Sequence, residues 1–458
     1  VRCAGFSPAQ IQRCTATNVT SFSGTSAIFV SAPTGGATVD QCVATRCAGQ
    51  GIRVLSNQRG LTIKRSEAHQ CTSGGAEARG INVNVSASRF VANGGRRGLT
   101  IQPSATSLVT GCLFHGNQAG GLLVDTPGTT RIEGNVFVGN STDTNSSTIQ
   151  GGGLHVAAGS SNGRRSTIAN NLIANNRCIG NNSTGRGGGL YSIGIVLDLI
   201  GNTLINNSVA ELGGGAFLGG SPVRIERNQI SHNGARHGGG LFLAGAHRMV
   251  DNDVICNTAS GSGGGVHANT MNCNLNGTPQ VFNRFAGNQA MTGTALFSSA
   301  PITATYVHWQ SWPGSVRPPN LIVGLPAAAS APPVVAPYFY SLGAALAGGA
   351  TTPTPSAGGT LAPSGTLSLN IARANPMASG GLILNNQPAN FWFLDGLIIP
   401  SPIVVAPFST DNLGNATLSF AAPSGAPTGI KLLFQAAVID TGSSNGIFSL
   451  TNGLAAMN

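Results

Sequence analysis

"IERNQISHNGARHGGGLFLAGAHR" runs from Ile225 to Arg248. It holds two motifs. The first is apolar-x-x-Asn-x-apolar-x-x-Asn, here Ile225, Asn228, Ile230 and Asn233. The second is three glycines followed by Leu241, Phe242 and Leu243. Both recur. "IEGNVFVGN" (132–140), "IANNLIANN" (168–176) and "LIGNTLINN" (199–207) repeat the first motif, and "GGGLHV" (151–156), "GGGLYS" (187–192), "GGGAFL" (213–218) and "GGGVHA" (263–268) repeat the second. Looser copies of the first are "VTGCLFHGN" (109–117), "VSASRFVAN" (85–93), "IKRSEAHQC" (63–71) and "VDQCVATRC" (39–47). Short repeats that alternate strand-like runs with turns predict stacked coils, each too small to bury its apolar side alone.

Successive coils should lie about 4.8 Å apart, so like residues form columns. Asn135, Asn171, Asn202 and Asn228 form one such column, an Asn ladder whose amides hydrogen-bond along the axis. Cys14, Cys42, Ser66, Ser88 and Cys112 continue it towards the N-terminus as small residues at an inward corner. After the glycines, alternate residues face opposite ways. Leu241 and Leu243 then point inward, and His155, Tyr191, Phe217, Phe242 and His267 point outward. These five make an aromatic column about 20 Å long. It reads as a stacking ladder, as an exposed interaction strip for another domain or subunit, or as a carbohydrate platform.

"NNLIANN" followed by "GGGLY" resembles the repeats of right-handed parallel β-helix proteins, the kind found in pectate lyases and bacterial surface proteins. The glycine elements are most similar to those of polymorphic outer-membrane and adhesin-type proteins. The resemblance covers about residues 10–300 and implies a fold of about eleven coils, not a chemistry. Residues 301–324, with "ATYVHWQSWPGS", are expected to cap the last coil, and 325–360 form a Pro/Ala/Thr linker. From 361 to 458, seven strand-like runs such as "GTLSLNIA", "NATLSFAA" and "KLLFQAAVID" predict an immunoglobulin-like β-sandwich. "DNLGNATLSF" and "FQAAVIDTGSSNGIFSLTNGL" resemble a C-terminal domain of large secreted proteins of planctomycetes and related bacteria, which implies export. The chain is therefore read as all-β, a parallel β-helix over 1–300 followed by a sandwich.

Only 8% of the 458 residues are charged, yet the net charge is +10. Residues 1–100 carry eleven Arg or Lys against three acids, and 320–458 carry two against three. A basic end of this kind suits acidic polysaccharide or an acidic neighbour. Nucleic acid fits poorly, because aromatics are few there and Lys64 and Lys431 are the only lysines. Residues 321–350 lack charge, but Pro326, Pro332, Pro333 and Pro337 exclude a membrane-spanning helix. The start at Val1 suggests a processed chain.

Nine cysteines without a CxxC pair give no zinc signature. Stacking suggests disulfides Cys14–Cys42 and Cys47–Cys71, with Cys256–Cys273 as a third. β-Helix lyases and hydrolases resemble one another in gathering several Asp on adjacent coils. Here Asp125, Asp143, Asp198, Asp251 and Asp253 are scattered. Glu226 and Asp251, beside Arg224, Arg227 and Arg248, are the nearest approach to a site and read as a solvated ion-pair group. His232 and His237 flank a turn and are expected in solvent. No catalytic, metal or cofactor residue is therefore expected. The resulting expectation is an extracellular or cell-surface bacterial structural protein. It would be a filament, sheath or surface-layer subunit that assembles with its own copies. A polysaccharide lyase or an adhesin for acidic polysaccharide is the alternative.

Overall fold

The computed structural model describes residues 1–4, 8–20, 26–125, 128–143, 150–157, 165–179, 185–269, 273–276, 283–299, 302, 307–310, 322–323, 338–343, 353–359, 366–385, 388–393, 396–400, 404–421, 431–440, 448–451 and 453–457. They contain strands and turns and no helix. The chain divides into two compact units, Val1–Ser311 with Val316–Pro332, and Trp312–Ser315 with Pro333–Asn458.

The first unit is a right-handed parallel β-helix. Each coil contributes a strand to three faces, and every face is a parallel stack in register. On the first face Leu154, Leu190, Ala216, Leu241, Val266 and Leu296 lie over one another. On the second, Ile132, Ile168, Leu199, Ile225 and Met249 do so. The third face has twelve strands, with Phe90, Phe114, Phe137, Ile173, Leu204, Ile230, Val254 and Phe285 in one column. All these side chains point into one shared core. From Ser141 to Ser262 the longer coils add a five-stranded lateral sheet that begins with Ser141–Asp143.

Two corners per coil depend on a left-handed residue just before the ladder position. Arg65, Gly134, Asn170 and Arg227 have φ between +48° and +64° at the first corner, and Gln70, Gly139, Asn175 and His232 between +54° and +60° at the second. The Asn side chains turn inward there. Asn135 Nδ2 donates to Asn171 Oδ1 at 3.0 Å, Asn171 to Asn202 at 2.9 Å, Asn202 to Asn228 at 3.1 Å and Asn228 to Asn252 at 3.0 Å. Each Oδ1 also accepts the backbone N–H of the preceding ladder residue. The second Asn of the motif builds a parallel ladder, running from Asn93 through Asn117, Asn140, Asn176, Asn207 and Asn233 to Asn257 and Asn288.

Near the N-terminus thiols take over the amide's role, and this corrects the expected disulfides. Asn135 Nδ2 donates to Val109 O at 2.9 Å and Glu133 O at 3.1 Å. Cys112 Sγ donates to the equivalent oxygens, Val85 O at 3.7 Å and Thr110 O at 3.4 Å. Cys42, Cys47 and Cys71 point at carbonyls in the same way, and Cys273 at Gly245 O. No disulfide joins Cys14 to Cys42, Cys47 to Cys71, or Cys256 to Cys273. Burial pushes the Cys71 and Cys112 thiols up to about 12, so they stay protonated donors.

The glycine triplets have a steric cause. The first glycine of each is left-handed, as at Gly187 (+68°), Gly213 (+74°) and Gly238 (+66°). The next two lie against the neighbouring coil. A Cβ on Gly239 would stand 2.5 Å from both Gly264 O and Thr258 O.

The stretch expected to cap the solenoid instead prolongs it. His308–Gln310 extends the third face, and Ile322–Val323 pairs with Leu296 and Phe297 on the first. The other residues of 301–324, apart from Ile302 and Val307, lie outside the described residues. In the second unit, a six-stranded antiparallel sheet faces a three-stranded one, and a separate hairpin joins Pro388–Phe393 to Gly396–Pro400. Leu367, Leu369 and Ile371 of the smaller sheet share a core with Leu382, Phe434, Ala436 and Val438 of the larger, which makes a β-sandwich. Its sheets begin inside the expected linker. Tyr338–Gly343 pairs with Gly453–Met457, and Thr354–Gly359 with Thr366–Ala372. Both are edge strands, where Pro355 is tolerated because its missing N–H deprives no neighbour.

Candidate binding groove

His155, Tyr191, Phe217, Phe242 and His267 occupy equivalent places on successive strands of the first face, and Phe297 adds a sixth ring. Ring centroids are 4.7 to 5.4 Å apart. The column lies outside the solenoid core, in a cluster of its own with Ile193, Leu212 and Ala244. It does not form the exposed interaction strip that alternation suggested. Tyr191, Phe217 and Phe242 are only 2%, 3% and 5% exposed. Each ring covers its neighbours, Leu212 packs against the cluster, and the Arg186 guanidinium sits 5.2 Å over Phe217.

Arg97 closes the N-terminal end of the column. It donates to Gln150 O at 2.6 Å and Gly151 O at 2.8 Å, and its Nη2 lies 3.2 Å from His155 Nδ1. Burial pushes Arg97 down to about 10, still charged at neutral pH. Burial and the Arg97 charge together push His155 down to about 3, so its neutral ring accepts the bond.

At the other end is a constellation that sequence reading missed. Ser262 Oγ lies 2.8 Å from His237 Nδ1 and 2.9 Å from His267 Nδ1. His237, placed by its sequence neighbours in solvent, is half-buried, because its coil stacks it on Ser262. The Ser262 N–H also points at His237 Nδ1, at 3.3 Å. This resembles a nucleophile beside a base, but an acyl-transfer site needs unengaged donors for an oxyanion. The adjacent Gly263 N–H is spent on Thr292 O. Burial leads the lowering of His267 to about 4.

The Glu226–Asp251 group is a surface ion-pair cluster. Glu226 pairs with Arg224 and, at 3.8 Å, with Arg227, while Asp253 takes Arg284 at 2.6 Å. Arg248 stacks beside Arg224 and is exposed. Burial and the neighbouring Asp253 raise the Asp251 carboxyl. Among the described residues, no three His, Cys, Asp or Glu side chains gather as metal ligands. Of the acids named from the sequence, Asp198 pairs with Arg165, and the side chain of Asp143 lies outside the described residues.

One concavity among the described residues is on the first face of the N-terminal coils. It measures about 290 Å³ and is lined by Gln50, Glu77, Arg79, Arg96, Thr100 and Gln102, with Arg97, Ala119 and Leu123 at its far side. Glu77 is the floor, 4% exposed. Its carboxylate lies 3.3 Å from Arg53 Nε and 2.5 Å from Arg79 Nε. With the Gln50 amide nitrogen turned towards it, Gln50 donates to Glu77 Oε2 at 3.2 Å. Glu77 occupies the same column as His155, three coils earlier, so the outward position that is aromatic later is charged here. A second hollow of about 360 Å³ lies on the next face, with Thr62, Asn82, Asn84, Thr106, Thr129 and Arg131 among its lining.

The family model described as "Right handed beta helix region" matches residues 1–173. No curated protein matches the chain in sequence. Among solved structures, the enzymatically active domain of tailspike protein 4 of bacteriophage CBA120 aligns with the whole chain at 10% identity and a TM-score of 0.17. The alignment spans 63% of that domain, and a superposition this loose carries no argument. The family match ends at residue 173, but the same rung of corners, ladders and faces continues through Phe297. The chain folds as a right-handed parallel β-helix followed by a C-terminal β-sandwich.

Proposed function

We propose that the protein is an extracellular β-helix scaffold that binds acidic polysaccharide along its N-terminal coils without cleaving it. One observation carries this reading: the charge of those coils is sorted by depth. Two of their three acids are sunk, with Asp40 2% and Glu77 4% exposed, and the third, Glu67, is half-buried, while Arg13, Arg46, Arg59, Arg65, Arg79 and Arg96 are exposed. Asp40 is clamped by Lys64 and Arg65, and the Arg65 guanidinium holds its carboxyl below the usual range. Arginines repeated on rungs of a rigid rod suit a polymer with an anionic group on each sugar.

The groups that resemble catalytic parts are otherwise engaged. Arg97 serves as a donor to carbonyls, Glu226 is held by arginines, and the N–H beside Ser262 is spent. An exposed aromatic strip is one of the features that point to assembly into a filament or surface layer, and here that strip is covered. The exposed charge of the N-terminal coils is mostly cationic, which favours an acidic glycan partner.

Titration with polygalacturonate, alginate and neutral dextran tests the reading. Binding of the two acidic polymers, weakened by raising salt from 0.05 to 0.5 M, is expected, with no unsaturated sugar released. Equal affinity for dextran, or no affinity for either acid polymer, overturns it.

A further inference from the structure

We infer that the groove over Glu77 is a selective subsite for one anionic sugar unit, in which arginines take the acid group and Glu77 takes sugar hydroxyls. This deepens the polysaccharide reading and rests on it. A groove built only to attract anions would have no carboxylate at its base. Glu77 stands there, nearly buried, between Arg53 and Arg79. An ionised carboxylate only accepts hydrogen bonds, so it demands donors from whatever enters and repels a bare anion placed against it. Arg96, exposed at the rim, and Arg79, half-exposed beside Glu77, offer the complementary donors.

A sugar acid carries both chemistries on one ring. Its carboxylate or sulfate ester meets the guanidinium groups, and its hydroxyls donate to Glu77. Gln50, Gln102 and Thr100 can each donate and accept, which suits further hydroxyls. Leu123 and Ala119 supply an apolar wall for the C–H side of the ring. Inorganic sulfate, fully ionised, offers no hydroxyl hydrogen to match Glu77, so the groove discriminates by what it rejects as well as by what it binds. Arg97 lines the groove, but its guanidinium is tied to Gln150, Gly151 and His155 and is not a ligand group.

The test measures affinity for galacturonate oligomers, for sulfated dextran oligomers and for inorganic sulfate. Arg96→Ala should weaken the sugar acids about tenfold, the loss of one charge-assisted pair. Glu77→Gln should weaken them while tightening inorganic sulfate. The two oligomer series tell a carboxylate from a sulfate ester as the group bound. Arg46→Ala, on another face, should change little and serves as the charge-matched control. If Glu77→Gln tightens sugar acids and sulfate alike, Glu77 is only a charge and the inference fails. If acidic polymers bind but Arg96→Ala matches Arg46→Ala, binding lies outside the groove, and this inference fails while the polysaccharide reading stands. If no acidic polymer binds the unaltered protein, both fall. Arg96 is exposed, so its variant keeps the test decisive even where Glu77→Gln does not fold.

Discussion

The first five coils and the last six turn the same corners with different chemistry. Early coils place Cys42, Ser66, Ser88 and Cys112 at the first corner, and later ones place Asn135 through Asn283. Early coils put Arg53, Glu77 and Thr100 on the outer column of the first face, and later ones put stacked rings there. The rung demands only an inward donor at each corner and a residue able to sit at positive φ before it. The outer column is left to other uses. One half spends it on a second apolar layer and the other on charge.

That contrast can be broken most severely through the glycine triplets, which only the later coils possess. Gly239→Val forces a side chain into two carbonyl oxygens and should cost more than about 4 kcal/mol, seen as loss of cooperative unfolding in a denaturant titration. Gly116 of the early coils, where an added Cβ meets nothing within 4 Å, marks the other limit on steric grounds, although its φ of +62° still favours glycine.

Acid should loosen the later half first. His247 Nδ1 accepts the Val223 N–H at 3.1 Å, and its Nε2 faces Leu218 O, so an added proton would set two donors against each other. Burial pushes His247 and His267 down to about 4, against about 6.5 when unfolded. Their folded pKa values are depressed and they are bases, so the unfolded chain binds more protons as pH falls. Their stabilisation is intact above pH 6.5, is lost progressively between pH 6.5 and 4, and amounts to about 3 kcal/mol for each. Unfolding titrations at stepped pH check this, and His267→Phe, which keeps the ring stack, should flatten the curve. An unchanged slope in that variant would remove His267 from the account.

The two ladders should differ by less. Asn207→Ala strands the backbone N–H and one amide hydrogen of Asn176 and the carbonyl of Ile173, and should cost about 3 kcal/mol. Cys71→Ala removes one weak donor, and about 1 kcal/mol is expected. Equal losses in thermal unfolding would show that the thiols do more than stand in for amides. The smallest effect, of opposite sign, is at Ala87. Its φ of +45° strains a residue with a Cβ, and Ala87→Gly should stabilise by at most about 1 kcal/mol after glycine's extra unfolded freedom is counted.

Much of this was legible because the repeat is local. Asn228 and Asn233 recur with Ile225 and Ile230 at fixed spacing, so the coil, the inward columns and the first ladder follow from counting. The cysteines misled because stacking places Cys47 and Cys71 in adjacent rungs without saying where their sulfurs aim. They aim at Thr45 O and His69 O. Alternation likewise turned His155, Tyr191 and Phe217 away from the core, but could not reveal that Leu212 and Arg186, from a neighbouring strip of the coil, cover them. The Ser262 constellation and the groove join residues whose separation varies with insert length, so no fixed spacing announces them.

What the sequence determined alone is the rung: corner residues able to take positive φ, inward small or amide side chains, and alternation around the glycines. These act within one coil or between neighbours, where spacing is periodic. What only the tertiary structure decided is which outward columns stay open. That depends on chain segments brought across from other corners, and on burial that keeps Cys71 a thiol, His267 neutral and Glu77 sunk between two arginines.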